Sequence, residues 1–362
     1  MLSSSAAQST RQMAKPLFLI PDDFEDRRFF TGWDQIPYDF SGAKLRDEMV
    51  KRTSHLDVQL AGDETEMLAI LPHADFMAAD RLSRQRLDSG LKLKWVHISS
   101  SGADHFFKRS EITADNLRQR AIMVTTSKGA GVVVIAEQVL CYMLMFSRNM
   151  VRAVRQHLVG HWERYPGQEL CGLTLGVIGL GAIGSRVAYL ANAVGMKTIG
   201  CKRDIATVIP WVDRIYPAED YREVMRQSDY VLLCIPINER TDKFINDDSL
   251  SCMKPTAYLM NVARGECVDE DALVRALLHG VIAGYAGDNH GRPAGPVTDD
   301  NMERLARDSK LWGMPNVIVT PNCAVAGPRR YEYMAEIIVA NFEAIERGAE
   351  PKTRLIWNGE PV

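Results

Sequence analysis

The sequence shows no strong excess of charge of either sign. Its 362 residues include 43 lysines and arginines against 46 aspartates and glutamates, so the formal net charge is −3. Proteins whose main partner is nucleic acid or an anionic membrane surface usually carry a clear positive balance or a basic stripe. The composition therefore disfavours both kinds of partner.

Cysteine pairs and clusters of metal-ligand residues are also absent. The seven cysteines are scattered and form neither a C-x-x-C pair nor a cluster with histidine. An odd, unpaired set of this kind is typical of reduced thiols in a cytoplasmic protein, and it disfavours a disulfide framework or a zinc site. We therefore expect a cytoplasmic protein without a bound metal.

The sequence contains no apolar run long enough to cross a bilayer. The longest, VVVIAEQVLCYMLMF at residues 132–146, is interrupted by Glu137 and Gln138, and a membrane span needs about 20 apolar residues. We interpret it as the start of an unusually long helix, residues 132–157, that is buried or forms an interface. The leader, residues 1–15, has no hydrophobic secretory core, so we interpret it as a flexible tail, with a transit peptide as the alternative.

What the sequence does contain is a regular alternation of short apolar runs with helical patterns. In the first third, apolar runs end near Ile20 and Ile98, and a helix is predicted to begin after a capping serine, Ser41. Strands that alternate with helices form a parallel sheet covered on both faces. Since 362 residues suffice for two domains, the pattern predicts a two-domain α/β protein.

A glycine-rich motif follows an apolar strand predicted at residues 173–178. It reads Gly179-x-Gly181-x-x-Gly184 and leads into a helix and a second strand, residues 197–201. In a dinucleotide site the first glycine makes a tight turn, the second admits the pyrophosphate, and the third lets helix and strand pack closely. The phosphates would meet free N–H groups at the helix start, at Ala182 and Ile183. The complete strand–turn–helix–strand unit predicts a binding site for NAD or NADP.

The end of the second strand bears on which of the two coenzymes is bound. An acid at this point binds the ribose 2′-hydroxyl of NAD, whereas a cation binds the 2′-phosphate of NADP. The acid position is filled by Lys202, and Arg203 follows it. A planar guanidinium and a point charge both suit a phosphate dianion. The sequence therefore favours NADP, with NAD as the alternative if Asp204 is a displaced acid.

Joined to four further segments, this motif resembles the family of D-isomer-specific 2-hydroxyacid dehydrogenases. The segments are LLCIPINERTDKFIN, MNVARGECVDEDAL, AGYAGD and NVIVTP, and the match runs from about residue 99 to residue 344. Through GYAGD and the C-terminal run, the chain is most similar to the formate dehydrogenase branch. The resemblance implies hydride transfer between a nicotinamide and a small 2-oxo or 2-hydroxy acid or a related carbonyl compound.

The resemblance also implies the architecture. It predicts two Rossmann-like domains with parallel sheets and an active-site cleft between them. The substrate domain would comprise residues 16–124 and 325–362, and the dinucleotide-binding domain residues 125–324. The helix region 132–157 would carry a two-fold interface, so a homodimer is expected, with a small-molecule substrate as the other partner.

By position, the resemblance gives roles to individual residues. Arg264, in N-x-x-R-G, would polarise the substrate carbonyl and help to hold its carboxylate, because a guanidinium combines a bidentate clamp with a charge near a developing alkoxide. The turn with Ser101 and Gly102 would offer backbone N–H groups to the same carboxylate. Asp288 would face the nicotinamide carboxamide. The coenzyme site would also include Cys234, Pro236, Ala263 and Arg264.

One position departs from the family pattern. Where relatives have the histidine that gives a proton to the carbonyl oxygen, after T-P in the last strand, this chain has Asn322. The position of the histidine's acidic partner falls on Arg292 or Pro293, and no histidine follows His290. Because an amide does not exchange a proton near neutral pH, the origin of the proton needs another explanation.

Three explanations stay open. In the first, His290 supplies the proton, since histidine is the side chain that titrates near neutral pH. In the second, the chemistry needs no proton relay, as with a formate-like hydride donor or a coenzyme-assisted elimination, and Asn322 only positions the substrate. In the third, the chain has lost turnover and serves as an NAD(P)-sensing binding protein.

Overall fold

The structure is a computed structural model that describes residues 15–22, 41–288, 309–357 and 360–362. Its internal contacts divide the chain into two compact units, Met1–Lys128 with Tyr331–Val362 and Gly129–Arg330. Each division falls a few residues beyond the boundary predicted from the sequence. The predicted tail, apart from Lys15, and the predicted proton donor His290 lie outside the described residues.

The first unit is built on a five-stranded sheet in which every pairing is parallel. Its strands are β1 (Leu17–Pro21), β2 (Asp57–Ala61), β3 (Phe76–Ala79), β4 (Trp95–Ile98) and β5 (Met123–Thr126). Their order in the sheet is β2-β1-β3-β4-β5. Every residue of β3 and β4 is buried, as expected for inner strands of a parallel sheet covered on both faces.

Most helices of this unit begin at polar caps; the exception is the helix that follows Ala103. Ser41 is the predicted cap: its side-chain oxygen accepts a hydrogen bond from the backbone N–H of Lys44 at 3.2 Å, which satisfies one of the free donors of the first turn. The helices are α1 (Gly42–Arg52), α2 (Glu64–Ile70), α3 (Arg84–Ser89), α4 (Asp104–Arg109) and α5 (Ala114–Gln119).

The second unit contains a seven-stranded sheet that is also parallel throughout. Its strands are β6 (Thr174–Ile178), β7 (Lys197–Lys202), β8 (Arg214–Pro217), β9 (Tyr230–Leu233), β10 (Tyr258–Asn261), β11 (Gly284–Gly287) and β12 (Val317–Val319). Their order is β12-β11-β10-β9-β6-β7-β8. The predicted α/β fold with two parallel sheets is therefore confirmed.

Helices cover both faces of the second sheet. They are α6 (Val132–Ser147), α7 (Met150–Leu158), α8 (Ala182–Ala193), α9 (Tyr221–Gln227), α10 (Asp247–Leu250) and α11 (Glu270–Leu278). Side chains of α6 and α8 join one apolar cluster, and side chains of α9, α10 and α11 join the other. Within β9 the alternation is direct: Leu232 packs into the first cluster, and its neighbours Val231 and Leu233 pack into the second.

The prediction of one long helix over residues 132–157 is wrong. The segment forms α6 and α7, which are bent by 72° at a short break. At the break Asn149 adopts a left-handed backbone conformation, with φ at 52°, and its side-chain amide donates to the carbonyl of Pro166 at 2.8 Å. Asparagine tolerates this conformation better than most residues, so it ends the helix where the apolar periodicity alone gives no signal.

The chain ends in the first unit. A long helix, α12 (Arg330–Glu346), is followed by a two-stranded antiparallel hairpin of β13 (Ile356–Trp357) and β14 (Glu360–Pro361). Within the described ranges no single helix is long and apolar enough to span a membrane; α6 and α7 reach the required length and hydropathy only together, as the bent pair.

Candidate functional site

The predicted coenzyme and catalytic residues of the second unit gather at one edge of its sheet. Because all seven strands are parallel, their carboxyl ends share that edge. β6 lies in the middle of the sheet: β7 and β8 follow it on one side, and β9 to β12 continue on its other side. Open α/β sheets bind ligands at the point where the strand order reverses in this way. The predicted residues follow β12 (Asn322), β11 (Asp288), β10 (Ala263, Arg264), β9 (Cys234, Pro236) and β6 (Gly179, Gly181, Ala182, Ile183, Gly184), or end and follow β7 (Lys202, Arg203).

The glycine turn between β6 and α8 has the geometry that a pyrophosphate site needs. Gly179 has φ at 104°, a region that favours glycine. A Cβ atom on Gly184 would lie 2.3 Å from the carbonyl oxygen of Gly179, so only glycine lets helix and turn approach this closely. A Cβ atom on Gly181 would meet no atom within 4 Å. Space is therefore left open at the position where the phosphates are expected.

The start of α8 presents backbone N–H groups toward this space. The first N–H groups of any helix lack partners within the helix and favour an anion. The N–H of Gly184 lies near the thiol of Cys234 and acts to lower its pKa. Burial raises the pKa of that thiol to about 12, so it stays protonated. The N–H groups of Ala182 and Ile183 are the predicted phosphate donors.

The turn after β7 holds two cations and one internally bound acid. Lys202 ends the strand half-buried, and Arg203 is exposed. The carboxylate of Asp204 accepts from the backbone N–H of Ala206 at 3.1 Å and from the hydroxyl of Thr207 at 2.8 Å. These hydrogen bonds hold the pKa of Asp204 below its usual range and direct the carboxylate toward its own loop.

Arg264 stands on a short loop that a buried asparagine closes. Asn261, the last residue of β10, is fully buried. Its side-chain amide donates to the carbonyl of Arg264 at 2.9 Å, and its side-chain oxygen accepts from the N–H of Ala263, also at 2.9 Å. The half-buried guanidinium donates to the carbonyl of Ala263 at 3.0 Å. The asparagine of the N-x-x-R-G motif therefore fixes the backbone from which the arginine extends.

Asn322 lies on a turn that Asp288 organises. Asn322 is exposed and has φ at 54°; its backbone N–H donates to the carbonyl oxygen of Asp288 at 2.9 Å. The carboxylate of Asp288 accepts from the hydroxyl of Thr320 at 2.6 Å and from the N–H groups of Cys323 and Ala324 at 3.0 Å each. These hydrogen bonds hold both carboxylate oxygens within the turn, and the contact of Asp288 with the nicotinamide carboxamide stays a prediction.

Burial and hydrogen bonding act on Asp288 in opposite directions. Burial raises the pKa of its carboxyl group above the usual range, and the donors from Thr320, Cys323 and Ala324 oppose the rise. These donors favour the ionised form. The family resemblance implies that Asp288 contacts the coenzyme; the structure adds an internal role in shaping the Asn322 turn.

In the first unit, the turn with Ser101 and Gly102 directly follows β4. The residues that hold it were not predicted from the sequence. The preceding Ser99 donates its hydroxyl to Asp80 at 2.7 Å, and Arg109 pairs with the other carboxylate oxygen at 2.7 Å. Ser101 is exposed. The turn is therefore fixed by an ion pair between the ends of β3 and α4, whose partners are too distant in sequence for a local pattern to reveal.

A buried histidine, His97, supports the same turn. Its Nδ1 lies 2.8 Å from the hydroxyl of Thr125 and its Nε2 lies 2.9 Å from that of Ser127. Thr125 also accepts from the indole of Trp95, and the backbone N–H of Ser127 donates to the carbonyl of Ser100. Burial lowers the pKa of His97 to about 3. The ring is therefore neutral, which suits a chain of neutral hydrogen bonds and no catalytic proton transfer at neutral pH.

Mild acid should destabilise the protein through His97. The folded pKa lies below the value of 6.5 in the unfolded chain, so the unfolded state binds the proton first and the free energy of unfolding falls as the pH falls below 6.5. Between pH 6.5 and 5 the expected loss is about 1.5 kcal/mol. Urea unfolding at the two pH values measures it.

Two variants separate His97 from other titrating groups. His97→Asn keeps a polar side chain that does not titrate, so its stability should depend on pH less than that of the wild type over this interval, by about the same 1.5 kcal/mol. His279→Asn, at an exposed helix end, should behave like the wild type. An undiminished pH dependence in His97→Asn would contradict the assignment.

Metal ligands do not converge anywhere in the part of the chain that the structure describes. No group of three or more histidine, cysteine, aspartate or glutamate side chains there has the placement to hold a metal ion. All seven cysteines are free thiols.

Comparison with known sequences gives one family. Residues 140–324 match the family model described as D-isomer specific 2-hydroxyacid dehydrogenase, NAD binding domain. A glyoxylate reductase of Pyrococcus furiosus is 30% identical over 289 residues, which cover 76% of this chain and 80% of the relative. A hydroxypyruvate reductase of Thermotoga maritima is 30% identical over 282 residues, which cover 76% of this chain and 84% of the relative.

Comparison with solved structures gives the same architecture. A D-isomer specific 2-hydroxyacid dehydrogenase family protein of Aeromonas salmonicida matches 94% of this chain and 99% of its own, with a TM-score of 0.73 and 22% identity. A D-lactate dehydrogenase of Aquifex aeolicus, complexed with NAD and lactic acid, matches 91% of this chain and 96% of its own, with a TM-score of 0.63 and 26% identity.

Proposed function

Because the chain belongs to the family of D-isomer specific 2-hydroxyacid dehydrogenases, it is an NAD(P)-dependent oxidoreductase, and we propose that it reduces a small 2-oxo acid. The observation that carries the proposal is the open space over Gly181, on the same sheet edge as Arg264. The residues at these strand ends fit a bound coenzyme, which when present supplies the hydride. The named relatives reduce glyoxylate and hydroxypyruvate, which supports a short 2-oxo acid as the substrate.

We propose that the coenzyme is preferentially NADP(H). Lys202 and Arg203 provide two positive charges where the 2′-phosphate is expected. The carboxylate of Asp204 is bound by Ala206 and Thr207 within its own turn. That arrangement argues against its use as a displaced acid for the ribose of NAD.

Arg264 and Asn322 divide the work on the substrate in this proposal. Arg264 polarises the carbonyl, because a fixed positive charge stabilises the alkoxide that forms there. Asn322 donates a hydrogen bond from its amide and positions the substrate without transferring a proton. The proton comes from water or from His290. Ser101 and Gly102 hold the substrate carboxylate through backbone N–H groups.

We further propose that two copies of the chain associate through α6 and α7. All nine residues of α7 are at least partly exposed, and the segment from α6 to the connector exposes a series of large apolar side chains. A second copy would remove this apolar surface from water. The exposed residues are Leu144, Met150, Val154, Leu158, Val159 and Trp162. The cytoplasm is the proposed location, since the cysteines are free thiols.

The proposed function is tested by following absorbance loss of NADPH and NADH with four acceptors. Glyoxylate, pyruvate, hydroxypyruvate and phenylpyruvate span short, polar and bulky 2-oxo acids. At least one should be reduced, with a higher kcat/KM for NADPH than for NADH. Tight NADPH binding without oxidation by any of the four would favour a coenzyme-sensing role instead.

Lys202→Asp should reverse the coenzyme preference in this assay. The variant removes a charge-assisted contact with the 2′-phosphate and adds a repulsion, so kcat/KM for NADPH should fall about tenfold or more. NADH should be affected little or should improve. Lys197→Asp is the matched control, because Lys197 is exposed at the opposite end of the same strand. An unchanged KM for NADPH in Lys202→Asp would refute the phosphate contact.

A further inference from the structure

A chain of hydrogen bonds links α6 to the turn that carries Asn322. It begins at Tyr142 on α6, whose hydroxyl lies near the side chain of Gln138. Tyr142, which is fully buried, is hydrogen-bonded to the hydroxyl of Thr320, and Thr320 donates to the carboxylate of Asp288. All four side chains belong to the second unit. None of them lies in the glycine motif or in the loop that carries Arg264.

The last hydrogen bond, from Thr320 to Asp288, determines which group donates in the bond before it. A threonine hydroxyl has one proton, and Thr320 gives it to Asp288 at 2.6 Å. Tyr142 must therefore donate to Thr320. Thr320 then both accepts and donates, and the hydrogen bonds end on a carboxylate, the strongest acceptor available. Removing one hydroxyl leaves a polar neighbour without its partner, which couples the members of the chain to one another.

These hydrogen bonds end at the turn that carries Asn322, whose backbone conformation is uncommon. Asn322 has φ at 54°, a left-handed conformation that asparagine tolerates better than most residues but that still costs energy relative to glycine. The two oxygens of the Asp288 carboxylate hold this conformation by accepting hydrogen bonds from the N–H groups of Cys323 and Ala324. Any rotation of that carboxylate displaces the turn and the amide of Asn322 with it.

We propose that Tyr142 is a positioning residue for Asn322, acting through Thr320 and the carboxylate of Asp288. Tyr142 does not touch the substrate in this proposal; it fixes the orientation of a carboxylate that shapes the turn. The proposal rests on the proposed function only in assigning the Asn322 amide to the substrate. The mechanical part, that Tyr142 holds the 320–324 turn, stands on the hydrogen bonds alone.

The test is Tyr142→Phe, which removes only the hydroxyl. Hydrogen–deuterium exchange of the peptide that spans residues 318–327 should become about tenfold faster, because the turn opens more often. In the four-acceptor assay, kcat should fall about tenfold. The KM for NADPH should rise less, by about threefold at most, because the coenzyme keeps its phosphate contacts and only the contact predicted for Asp288 is affected. Tyr216→Phe is the matched control: Tyr216 is buried, its hydroxyl accepts from Gln227, and β8 lies at the opposite edge of the sheet. It should change neither readout.

A double-variant cycle distinguishes positioning from general packing. Thr320→Val breaks the chain one link later, so adding Tyr142→Phe to it should have no further effect on kcat, whereas independent packing effects would multiply. Thr320→Ser keeps the hydroxyl and should restore most of the activity. If Thr320→Val alone folds poorly, the exchange and kcat measurements on Tyr142→Phe still decide the proposal.

The outcomes separate this inference from the proposed function. Unchanged exchange of the 318–327 peptide in Tyr142→Phe overturns the inference, as do multiplying effects in the cycle. Faster exchange with unchanged kcat also overturns it, because the turn would then move without consequence for catalysis. If the wild type reduces none of the four acceptors, the proposed function fails, while the exchange measurement still decides whether Tyr142 holds the turn.

Discussion

Replacing Arg264 with alanine is expected to lower kcat/KM for the preferred 2-oxo acid by about 10³-fold. The guanidinium is the one group assigned both to the carbonyl, where negative charge develops, and to the substrate carboxylate. Its loss removes a charge-assisted contact in the ground state and a larger stabilisation in the transition state. Both kcat and KM should therefore change, with the greater part of the effect in kcat.

Lysine should not replace Arg264 adequately. It keeps the charge but not the planar pair of donors, so Arg264→Lys should recover only part of the lost activity. The matched control is Arg275→Ala on α11, where the guanidinium is exposed and pairs with Asp247 at 2.7 Å. That variant should stay within about twofold of the wild type, as surface ion pairs contribute little.

The assignment of Arg264 depends on coenzyme binding remaining intact. Its carbonyl accepts from the side chain of Asn261, and its guanidinium donates to the carbonyl of Ala263. A structural role for the arginine would show as weaker NADPH binding and lower stability. If Arg264→Ala loses NADPH affinity in a fluorescence titration as strongly as it loses kcat/KM, the residue supports the coenzyme loop and does not polarise the substrate.

The parts of the fold that sequence predicted well are those fixed by local patterns. The capping serine Ser41 and the strand–glycine–helix unit from β6 to β7 each depend on residues within a short span of chain. Gly179 and Gly184 show why: the positive φ of the first and the close contact at the second are requirements of one turn. Steric limits of this kind leave a direct mark on the sequence.

The prediction of one helix over residues 132–157 failed because a local apolar pattern does not report a break made by one asparagine. The side chain of Asn149 bonds to Pro166 across the connector, and that contact forms only in the folded chain. The role that we propose for Tyr142 also has no signal in the local sequence, for a similar reason. Within an apolar helix it looks like an ordinary core residue, and its partner Thr320 lies 178 positions away along the chain.

At the site itself, the residues at the strand ends could be predicted from the sequence, but the hydrogen bonds that orient them could not. Asp204 illustrates the difference. Its position next to two cations left open whether it serves NAD, and only the hydrogen bonds to Ala206 and Thr207 reveal an internal use for its carboxylate. Likewise the exposed amide of Asn322 was evident from its place after Pro321, whereas the dependence of that turn on Asp288 was not.

Asn322→His should raise kcat for the preferred 2-oxo acid by about 10²-fold, because it restores a general acid where the family has one. The fold permits the change: histidine is among the residues enriched at positive φ, and the turn is held by backbone N–H groups that the substitution retains. The gain is set at the lower end of the range for general acids, since the partner position falls on Arg292 or Pro293 and provides no carboxylate.

The pH profile identifies the cause of the gain. An imidazolium donor loses its proton as the pH rises, so kcat should decline above the histidine pKa in Asn322→His combined with His290→Gln, a limb that the amide of Asn322 cannot produce in His290→Gln alone. Asn149→His is the matched control, because it places the same side chain at another left-handed asparagine of the same unit, with φ at 52°, and should bring no gain.

If His290 donates the proton in the wild type, His290→Gln should slow the wild type but not Asn322→His. Intact NADPH binding without any gain in Asn322→His would show that the pocket is shaped for a reaction other than reduction of an ordinary 2-oxo acid.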